Sequence, residues 1–494
     1  MRARFVTALI SAACLAAGAA GPAWAAGSEP AGGNGSAAGN GAAPTNPAIG
    51  PEGLSTMHGD AQSSDTTPLP GPGNGPVDAQ TIGLGAACPT VLHGQDGLTQ
   101  AMCTRIVDRA PVVFLLGPSG EKLAEHDVAK GSLLGGVYAY LDERDRMVLV
   151  DGNGDLLRIG HDRGGEDGAW RSFVAERTPL DHVVSGHCGE PGCDAVTSLM
   201  PDHDGRIWFA TGGGLTGLVD TARDEVRPLP LGPGERVDNS ISTAPEGMSV
   251  ATNQALYLLR ADESGAPQVV WRQPYDPGPA RKPGQLSWGT GASPTFFGPR
   301  TGSEYVTITD NASPQEHLLV YDTRDARQVC SVPVLPEGAS GMEDSPVARD
   351  NSVYVSSTYG YPYPATPEGA GPSEPRSAPF EGGMSRVDVR PDGSGCDLRW
   401  TNDVRSAAVP RLSTGDDTLY TTSRESPTGD RTTPFDRFRY TAIDPETGAV
   451  TNSRPIGSGF FSDTLQMVGV IAPGGVLYQG TTSGIIKVTP EKQS

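Results

Sequence analysis

The sequence is short of basic residues. Its 37 Lys and Arg residues stand against 58 Asp and Glu, which gives a formal net charge of -21. No Lys or Arg occurs between Arg4 and Arg105. Binding to the phosphate backbone of a nucleic acid needs clustered Lys and Arg. The composition therefore excludes a nucleic-acid-binding protein.

The sequence also lacks a stretch of the ~20 consecutive apolar residues that a membrane-spanning helix needs. The N-terminus instead combines two arginines, a short apolar run at 5–20 and an Ala-Trp-Ala end at 23–25. This pattern is typical of a signal peptide rather than a membrane anchor. We predict a signal peptide over residues 1–25, cleaved before Ala26, and hence a secreted or periplasmic protein without a membrane span. A lipoprotein attached through Cys14 is the second interpretation.

Residues 26–86 contain no Phe, Tyr, Trp or Cys and consist largely of Gly, Ala, Pro, Asn, Ser and Thr. Such a segment has too little apolar side-chain area to offset the entropy lost on ordering. We predict that it is a disordered linker in front of a domain at 87–490.

Cysteine is scarce, with seven in the chain, of which Cys14 belongs to the predicted signal peptide. An even number remains in an exported chain, which favours disulfides. Proximity in the sequence predicts the pairs Cys88–Cys103, Cys188–Cys193 and Cys330–Cys396. A zinc site is the alternative, but no Cys-x-x-Cys spacing is present.

Long helices are disfavoured by 66 glycines and 44 prolines, and the rest of the chain repeats a pattern of strands and turns. The repeated units begin near residues 136, 193, 240, 290, 343, 407 and 463. Their spacing is that of four-stranded propeller blades. The last unit lacks an outer strand, and 112–124 forms an unassigned strand–turn–strand. We predict an all-β, seven-bladed β-propeller closed by the strand at 112–124.

Two motifs carry a family resemblance. Residues 440–448 (YTAIDPETG) are similar to the strand–turn signature of quinoprotein-like (PQQ-type) propeller repeats. Residues 202–218, with Asp-Gly-x-x-Trp-Phe-x-Thr, resemble streptogramin-lyase propellers. The resemblance implies a propeller fold over about 112–490 and does not identify a reaction.

In a propeller, the turns before each inner strand and those between second and third strands meet on one face, which we call the upper face. Polar residues from several blades would surround the channel there. The predicted catalytic residues are Asp310, Glu343 and Asp344, whose clustered carboxyls would raise one another's pKa. The predicted ligand contacts are Asn239, Trp288, Thr290, Asn311, Tyr359, Tyr361 and Asp463. Turn capping is the alternative role for the Asp, Asn and Thr residues.

Two long insertions, at about 358–383 and 423–437, belong to the same face. The first contains Tyr359, Tyr361 and Tyr363 at alternate positions, a spacing that would suit stacking on a sugar or another flat ligand. The sequence does not identify a cofactor. Acidic turns are compatible with Ca²⁺. Bound PQQ is disfavoured because adjacent cysteines are absent.

These observations favour a secreted, monomeric propeller that binds a small molecule, a carbohydrate or other polymer, or an extracellular protein at the mouth of its central channel. A secreted lyase or hydrolase with an acidic, Ca²⁺-dependent channel-mouth site is the alternative. Whether the protein is an enzyme is left open by the sequence.

Overall fold

Short apolar strands alternating with Gly-, Asp- and Asn-rich turns fold into eight antiparallel sheets arranged as the blades of a propeller. The computed structural model describes residues 44–131, 137–190, 192–367, 369–429 and 432–491. The predicted signal peptide lies outside the described residues, as does the linker up to residue 43. Each blade has four strands, and seven of the eight follow directly along the chain.

The strands are numbered in chain order and fall into four concentric sets. The inner strands are β3 (Ala86–His93), β7 (Tyr140–Leu141), β11 (Val196–Pro201), β15 (Ser242–Ala244), β19 (Thr295–Phe297), β23 (Val347–Arg349), β27 (Arg411–Ser413) and β31 (Gly469–Ala472). The second strands are β4 (Thr99–Arg105), β8 (Met147–Val150), β12 (Ile207–Thr211), β16 (Gly247–Ala251), β20 (Tyr305–Thr309), β24 (Ser352–Ser356), β28 (Thr418–Glu425) and β32 (Val476–Thr481). The third strands are β5 (Pro111–Leu116), β9 (Asp155–Asp162), β13 (Leu215–Asp220), β17 (Ala255–Ala261), β21 (His317–Asp322), β25 (Met384–Val389), β29 (Arg437–Ile443) and β33 (Gly484–Pro490). The outer strands are β6 (Lys122–Asp127), β10 (Arg171–Pro179), β14 (Glu225–Pro230), β18 (Pro267–Pro274), β22 (Gln328–Pro333), β26 (Cys396–Asn402), β30 (Val450–Ser458) and β2 (Val77–Gly83).

The burial of a strand depends on its position in the blade, from the inner to the outer set. Inner, second and third strands are largely buried, whereas the outer strands are mostly exposed or half-buried. The hydrophobic core is divided among the contacts between neighbouring blades. Between the first two blades, for example, Met102 and Val113 pack with Leu141 and Leu149. The apolar side chains of one blade are therefore covered by the next blade around the ring.

The predicted number of seven blades is wrong, because the ring has eight. The sequence left residues 112–124 as an unassigned strand–turn–strand. In the structure they belong to the outer half of a complete blade formed by β3 to β6. The inner half was missed because its strands, AACPTVLH and TQAMCTR, contain small and polar residues. These residues are nevertheless buried, since both faces of an inner strand are covered by neighbouring blades.

Ring closure is also corrected. The last blade takes its outer strand from β2, which pairs antiparallel with β33 from Val77 opposite Pro490 to Gly83 opposite Gly484. The strand at 112–124 does not close the ring. β2 covers the outward edge of β33. The backbone groups of that third strand are therefore paired and not left open to solvent.

The part of the predicted linker that the structure describes, residues 44–86, is ordered rather than disordered. Besides β2 it contains β1 (Thr66–Thr67), which pairs in parallel with the inner strand β27. Most residues from 54 to 67 are buried. We call residues 44–67 the plug segment, because they lie against the inner strands of the ring. Small and polar residues order here because the surrounding blades supply the burial and hydrogen bonds that the segment cannot supply for itself.

The plug segment satisfies backbone groups on the free edges of the inner strands. Carbonyl oxygens of the segment accept hydrogen bonds from backbone N–H groups of six blades, over donor–acceptor distances of 2.7–3.0 Å: Leu54 from His93, Ser55 from Leu141, Ala61 from Thr243, Gln62 from Phe296, Ser64 from Ala348 and Asp65 from Leu412. The Asn46 side chain donates to the carbonyl of Pro201 in a seventh blade. Apart from Asn46, the order of these residues along the plug follows the order of their blades around the ring.

Few helices interrupt this pattern. The one α-helix among the described residues, α1 (Asp181–Cys188), joins β10 to β11, and 3₁₀ turns occur at Glu166–Gly168 and Phe460–Ser462. Over the described part of the chain, no helix has the length and apolar character needed to cross a membrane.

The predicted cysteine pairs are confirmed as disulfide-compatible. Cys88–Cys103, Cys188–Cys193 and Cys330–Cys396 have Cα–Cα separations of 4.0, 6.0 and 5.8 Å. Cys330–Cys396 joins the outer strands of neighbouring blades, β22 and β26. Three such pairs are compatible with secretion.

Candidate functional site

The upper mouth of the channel is crossed by two long loops, 275–294 and 357–383. They hold each other by backbone hydrogen bonds, from Gly360 to Pro283 at 2.8 Å and from Glu374 to Arg281 at 2.8 Å. Gly284 lies at their closest approach, where a Cβ atom would overlap the carbonyl oxygen of Thr358. The insertion at 358–383 is therefore packed against a neighbouring loop.

Asn311 anchors the first of these loops, and its neighbour Asp310 braces the turn between β20 and β21. One carboxylate oxygen of Asp310 accepts a hydrogen bond from the backbone N–H of His317 at 2.7 Å. The other oxygen lies 2.9 Å from the Nδ1 atom of the His317 ring. Asn311 is fully buried and donates to the carbonyls of Pro277 and Ala280. Both residues thus cap and brace turns, the role that the sequence offered as the alternative to ligand binding.

A buried ion pair supports the same loop. The Nζ atom of Lys282 lies 3.1 Å from Oε1 of Glu316 and donates to the carbonyl of Ala312 at 2.7 Å. Burial raises the pKa of Glu316 to about 7, against the lowering effect of Lys282. The pair lay outside the sequence prediction because its partners are 34 residues apart.

Glu343 and Asp344 lie beneath the upper mouth as shielded carboxyls. Asp344 is buried and accepts a hydrogen bond from the Ser356 hydroxyl at 2.7 Å. Burial raises its pKa to about 8. Glu343 is half-buried and accepts from the backbone of Leu286 at 2.8 Å. Surrounding protein, and then the charges of Asp238 and Asp344, raise its pKa well above the usual range.

Tyr359 and Tyr361 are buried, so neither presents a free ring for stacking. The Tyr361 hydroxyl donates to Asp463, and the same carboxylate accepts from Nη1 of Arg424 at 2.9 Å. Nε of Arg424 also donates to Asp436 at 2.6 Å. The structure therefore joins Tyr361 and Asp463, predicted separately, in one network around a buried guanidinium.

The remaining predicted contacts are Asn239, Thr290 and Trp288. Asn239 and Thr290 are buried, and the backbone N–H of Thr290 donates a hydrogen bond to the Tyr275 hydroxyl oxygen at 3.0 Å. Trp288 is 37% exposed and donates to the carbonyl of Gly278 at 3.1 Å. Trp288 is thus the predicted ligand contact with the most accessible side chain.

A cavity opens at the other mouth of the channel, on the face formed by the turns between inner and second strands, here called the lower face. The cavity has a volume of about 580 Å³. One wall is the plug segment, and the opposite wall comes from the turns that follow β19, β23 and β27. Polar side chains at the cavity include Glu52, Asp60, Gln62, Ser64, Arg349 and Asp350. The site was not predicted because the plug segment has the composition of a linker.

Two plug carboxyls define the electrostatics of the lower cavity. Asp60 is buried, which raises its pKa to about 6 although the Ser64 hydroxyl and backbone N–H both donate to it. Glu52 is exposed at the rim, but enough protein surrounds its carboxyl to raise its pKa. Arg349 is the one basic residue in the lining, and it forms ion pairs with Asp350 and Asp417. The cavity is therefore acidic when both plug carboxyls are ionised.

The plug is held in place by a second polar cluster. The Nδ1 atom of His58 lies 3.2 Å from both carboxylate oxygens of Asp65 and 2.9 Å from the Ser345 hydroxyl. Ser345 also donates to Asp65. Because the hydroxyl and the carboxylate meet the same ring nitrogen, the geometry is not that of a Ser-His-Asp triad, whose members use opposite nitrogens. The cluster fixes the plug to the blade that begins with β23.

A sequence signal for the plug was available. Within the Gly- and Ser-rich segment at 26–86, Glu52, His58, Asp60 and Asp65 concentrate ionisable groups among the apolar residues Ile49 and Leu54. Among the described residues, no group of three or more His, Cys, Asp or Glu side chains is arranged to hold a metal ion.

Comparisons with known proteins agree with the fold. No protein-family model matches the chain, and no curated protein matches it. Sqt1 from Chaetomium thermophilum is similar in structure, with a TM-score of 0.50 and 10% identity over 84% of this chain and 100% of that one. BamB from Moraxella catarrhalis has a TM-score of 0.39 and 13% identity over 70% of this chain and 93% of its own. At these identities the likeness concerns the propeller fold alone.

Proposed function

We propose that this protein is an exported propeller that binds a small polar molecule in the cavity at the lower mouth of its channel. The observation that carries the proposal is the cavity of about 580 Å³, walled by the plug segment and by turns from three blades. Its volume is within the range usual for small-molecule sites. We also infer, from the motifs at 440–448 and 202–218, that its repeats are related to those of the quinoprotein-like and streptogramin-lyase propellers.

The lining indicates the chemistry of the ligand. Carboxylates of Glu52, Asp60 and Asp350 accept hydrogen bonds, and Gln62, whose Nε2 atom has no partner within the described residues, can donate one. The lining has three acidic side chains and one basic side chain, Arg349. This balance favours a ligand that is neutral or cationic and carries many hydrogen-bond donors. A sugar or an amine meets these requirements, and a phosphate or carboxylate does not.

The test is a thermal-shift screen of sugars, polyols and amines, followed by calorimetric titration of each compound that raises Tm. We expect Glu52→Gln and Asp60→Asn to weaken binding by roughly tenfold or more, the loss that follows when a hydrogen bond to a charged group is removed. Asp204→Asn is the matched control, because this exposed carboxyl on the turn between β11 and β12 belongs to the same face and does not line the cavity.

Variants of the predicted upper site test, in the same experiment, whether the ligand binds at the upper mouth instead. If Trp288→Ala or Glu343→Gln abolishes binding and both plug variants retain it, the ligand binds at the upper mouth and the proposal is wrong. If the screened compounds bind none of the proteins, the cavity does not take this class of ligand. Circular dichroism confirms that each variant is folded.

A second candidate is a lyase or hydrolase at the upper mouth, and one observation favours it. Burial raises the pKa of Asp344 to about 8 and raises that of the more accessible Glu343 well above its usual range, so both carboxyls hold a proton more readily than exposed acids do. Carboxylic acids of this kind can act as general acids. Turnover of a polysaccharide that Glu343→Gln abolishes and Asp60→Asn spares would select this function.

A further inference from the structure

Three exposed aromatic side chains gather at one place on the upper face. Phe435, Phe460 and Phe461 are 78%, 51% and 65% exposed, and the other phenylalanines in the described ranges are not exposed to this degree. The rings of Phe460 and Phe461 are edge to face, with centroids 5.8 Å apart. The backbone of Gly459 donates to Asp436 at 2.8 Å, which brings the two segments together. We call these three residues the aromatic patch.

The backbone under the patch is fixed although its rings are exposed. The hydroxyls of Thr482 and Ser483 donate to the carbonyls of Phe460 and Phe461. The Thr482 N–H donates to the carbonyl of Asp463 at 2.9 Å. A partner that covers these rings would thus meet a surface whose backbone is already ordered, which lowers the entropy cost of binding.

A pocket opens beside the patch. It has a volume of about 280 Å³, and Phe460, Phe438, Pro362, Pro364 and Pro434 supply its apolar walls. The Arg424 guanidinium at the pocket is compensated by Asp436 and Asp463, to which it donates at 2.6 and 2.9 Å. The pocket therefore has room for one large apolar side chain of a partner, next to exposed rings that can cover its neighbours.

The charge beside the patch identifies the partner further. Arg437 directly follows Asp436, is exposed, and forms no ion pair in the described part of the chain. It lies opposite Ser458 in the ladder of β29 and β30, two residues before Phe460. Glu425, which lies opposite Arg437 on β28, pairs with Arg439, so Arg437 has no ion-pair partner among the described residues and can attract a carboxylate of another molecule.

We propose that the aromatic patch is a docking site for a polypeptide segment of another protein in which an apolar side chain lies next to a carboxylate. The apolar side chain enters the pocket beside Phe460, and the carboxylate pairs with Arg437. Aromatic and Arg anchors of this kind commonly supply most of the binding energy in protein interfaces. A second copy of this chain is disfavoured as the occupant, because two chains of net charge -21 repel each other.

The experiment uses a display library of random short peptides, selected on the full-length protein. We expect enriched peptides to combine Leu, Ile, Met or an aromatic residue with an adjacent Asp or Glu. Fluorescence polarisation should show that the double change Phe460→Ser and Phe461→Ser weakens the enriched peptides by about tenfold or more. Val450→Ser, which alters an exposed apolar residue on the outer strand of the same blade, should leave the affinity unchanged.

Arg437→Glu keeps the test independent of any effect of the Phe changes on folding. It should weaken the acidic peptides and favour versions in which Lys replaces the acid. Selection of no peptide, selection without the acidic preference, or binding that the Phe changes spare would overturn the proposal. A dimer in analytical ultracentrifugation that the same Phe changes dissociate would also overturn it, in favour of self-association.

Discussion

Asp65 of the plug segment faces Arg411 of the inner strand β27, with 3.6 Å between Oδ1 and Nη1, and both side chains are almost completely buried. Arg411 also donates to the carbonyl of Met57 at 2.6 Å and to that of Gly469 in the next blade. One guanidinium thus connects the plug with two blades. The pair has more partners than a surface ion pair and less access to water.

Asp65→Ala should therefore be strongly destabilising. The change leaves Arg411 buried without its counter-ion and removes acceptors from His58 and Ser345. Losing one partner of a buried pair costs about 3–5 kcal/mol. Urea denaturation measures the free energy of unfolding. The control is Arg349→Ala, which breaks the exposed pair with Asp417 and should cost less than about 1 kcal/mol. Equal effects of the two changes would contradict the locking role of Asp65.

Closure by β2 predicts the effect of a single truncation. Ile82 is the buried side chain of that strand and packs in the cluster that contains Val470 and Ile485. Ile82→Ala should lower the free energy of unfolding by about 2–4 kcal/mol. The neighbouring exposed residue provides the control, because Thr81→Ala should change it by no more than about 0.5 kcal/mol. A neutral Ile82 variant would show that the ring is not closed by this strand.

Asp60 predicts a pH dependence of stability. Its pKa in the folded protein is about 6, above the ordinary value of 3.8. A group that binds its proton more tightly in the folded state contributes stability that is complete below about pH 4 and is lost as the pH rises through 6. The stability of the wild type relative to Asp60→Asn should therefore fall by roughly 3 kcal/mol between about pH 4 and pH 7. Denaturation series at several pH values measure this difference, and a flat difference would contradict the assignment.

The disulfides should contribute unequally. Cys330 and Cys396 are 66 residues apart, whereas Cys188 and Cys193 are separated by 5. In the chain-entropy model a longer closed loop restricts the unfolded chain more. Replacing both members of the long pair by Ser should cost about 4 kcal/mol, and replacing the short pair about 2 kcal/mol. Thiol labelling of the denatured, unreduced chain that lacks the predicted signal peptide, and with it Cys14, should detect no free cysteine; two reactive thiols would refute the pairing.

Strand periodicity was sufficient to predict a propeller, because alternating segments such as those at 207–211 and 353–355 repeat with the spacing of blades. Proximity in the sequence was sufficient for the cysteine pairs. The eighth blade was missed because Cys88, Pro89 and Thr90 interrupt the apolar pattern of β3, although neighbouring blades bury that strand. The plug could not be predicted from composition, since its order depends on hydrogen bonds with residues such as Thr243 and Phe296 far along the chain.

The candidate site could likewise be predicted only in part, because contacts between distant segments decide which side chains face a ligand. The acidic turns that predicted Asp310 and Asp344 lie directly after β20 and shortly before β23. Whether an acid faces a ligand or a turn depends on its partners, and here those are His317 and Ser356. The lower cavity escaped prediction because its plug wall and its blade wall, with Asp60 and Arg349 as examples, come from segments distant in the sequence.

The position of the plug has a consequence for biosynthesis. Met57 bonds Arg411 across 354 residues, and β2 pairs with β33 at the other end of the described chain. The ribosome therefore releases the plug and the closing strand first, yet their binding sites are complete only after the last blade has been synthesised. Contacts so distant along the chain slow folding and leave strand edges unpaired in the meantime. Passage through a membrane as an unfolded chain would remove this conflict, because all eight blades would then be present when folding starts.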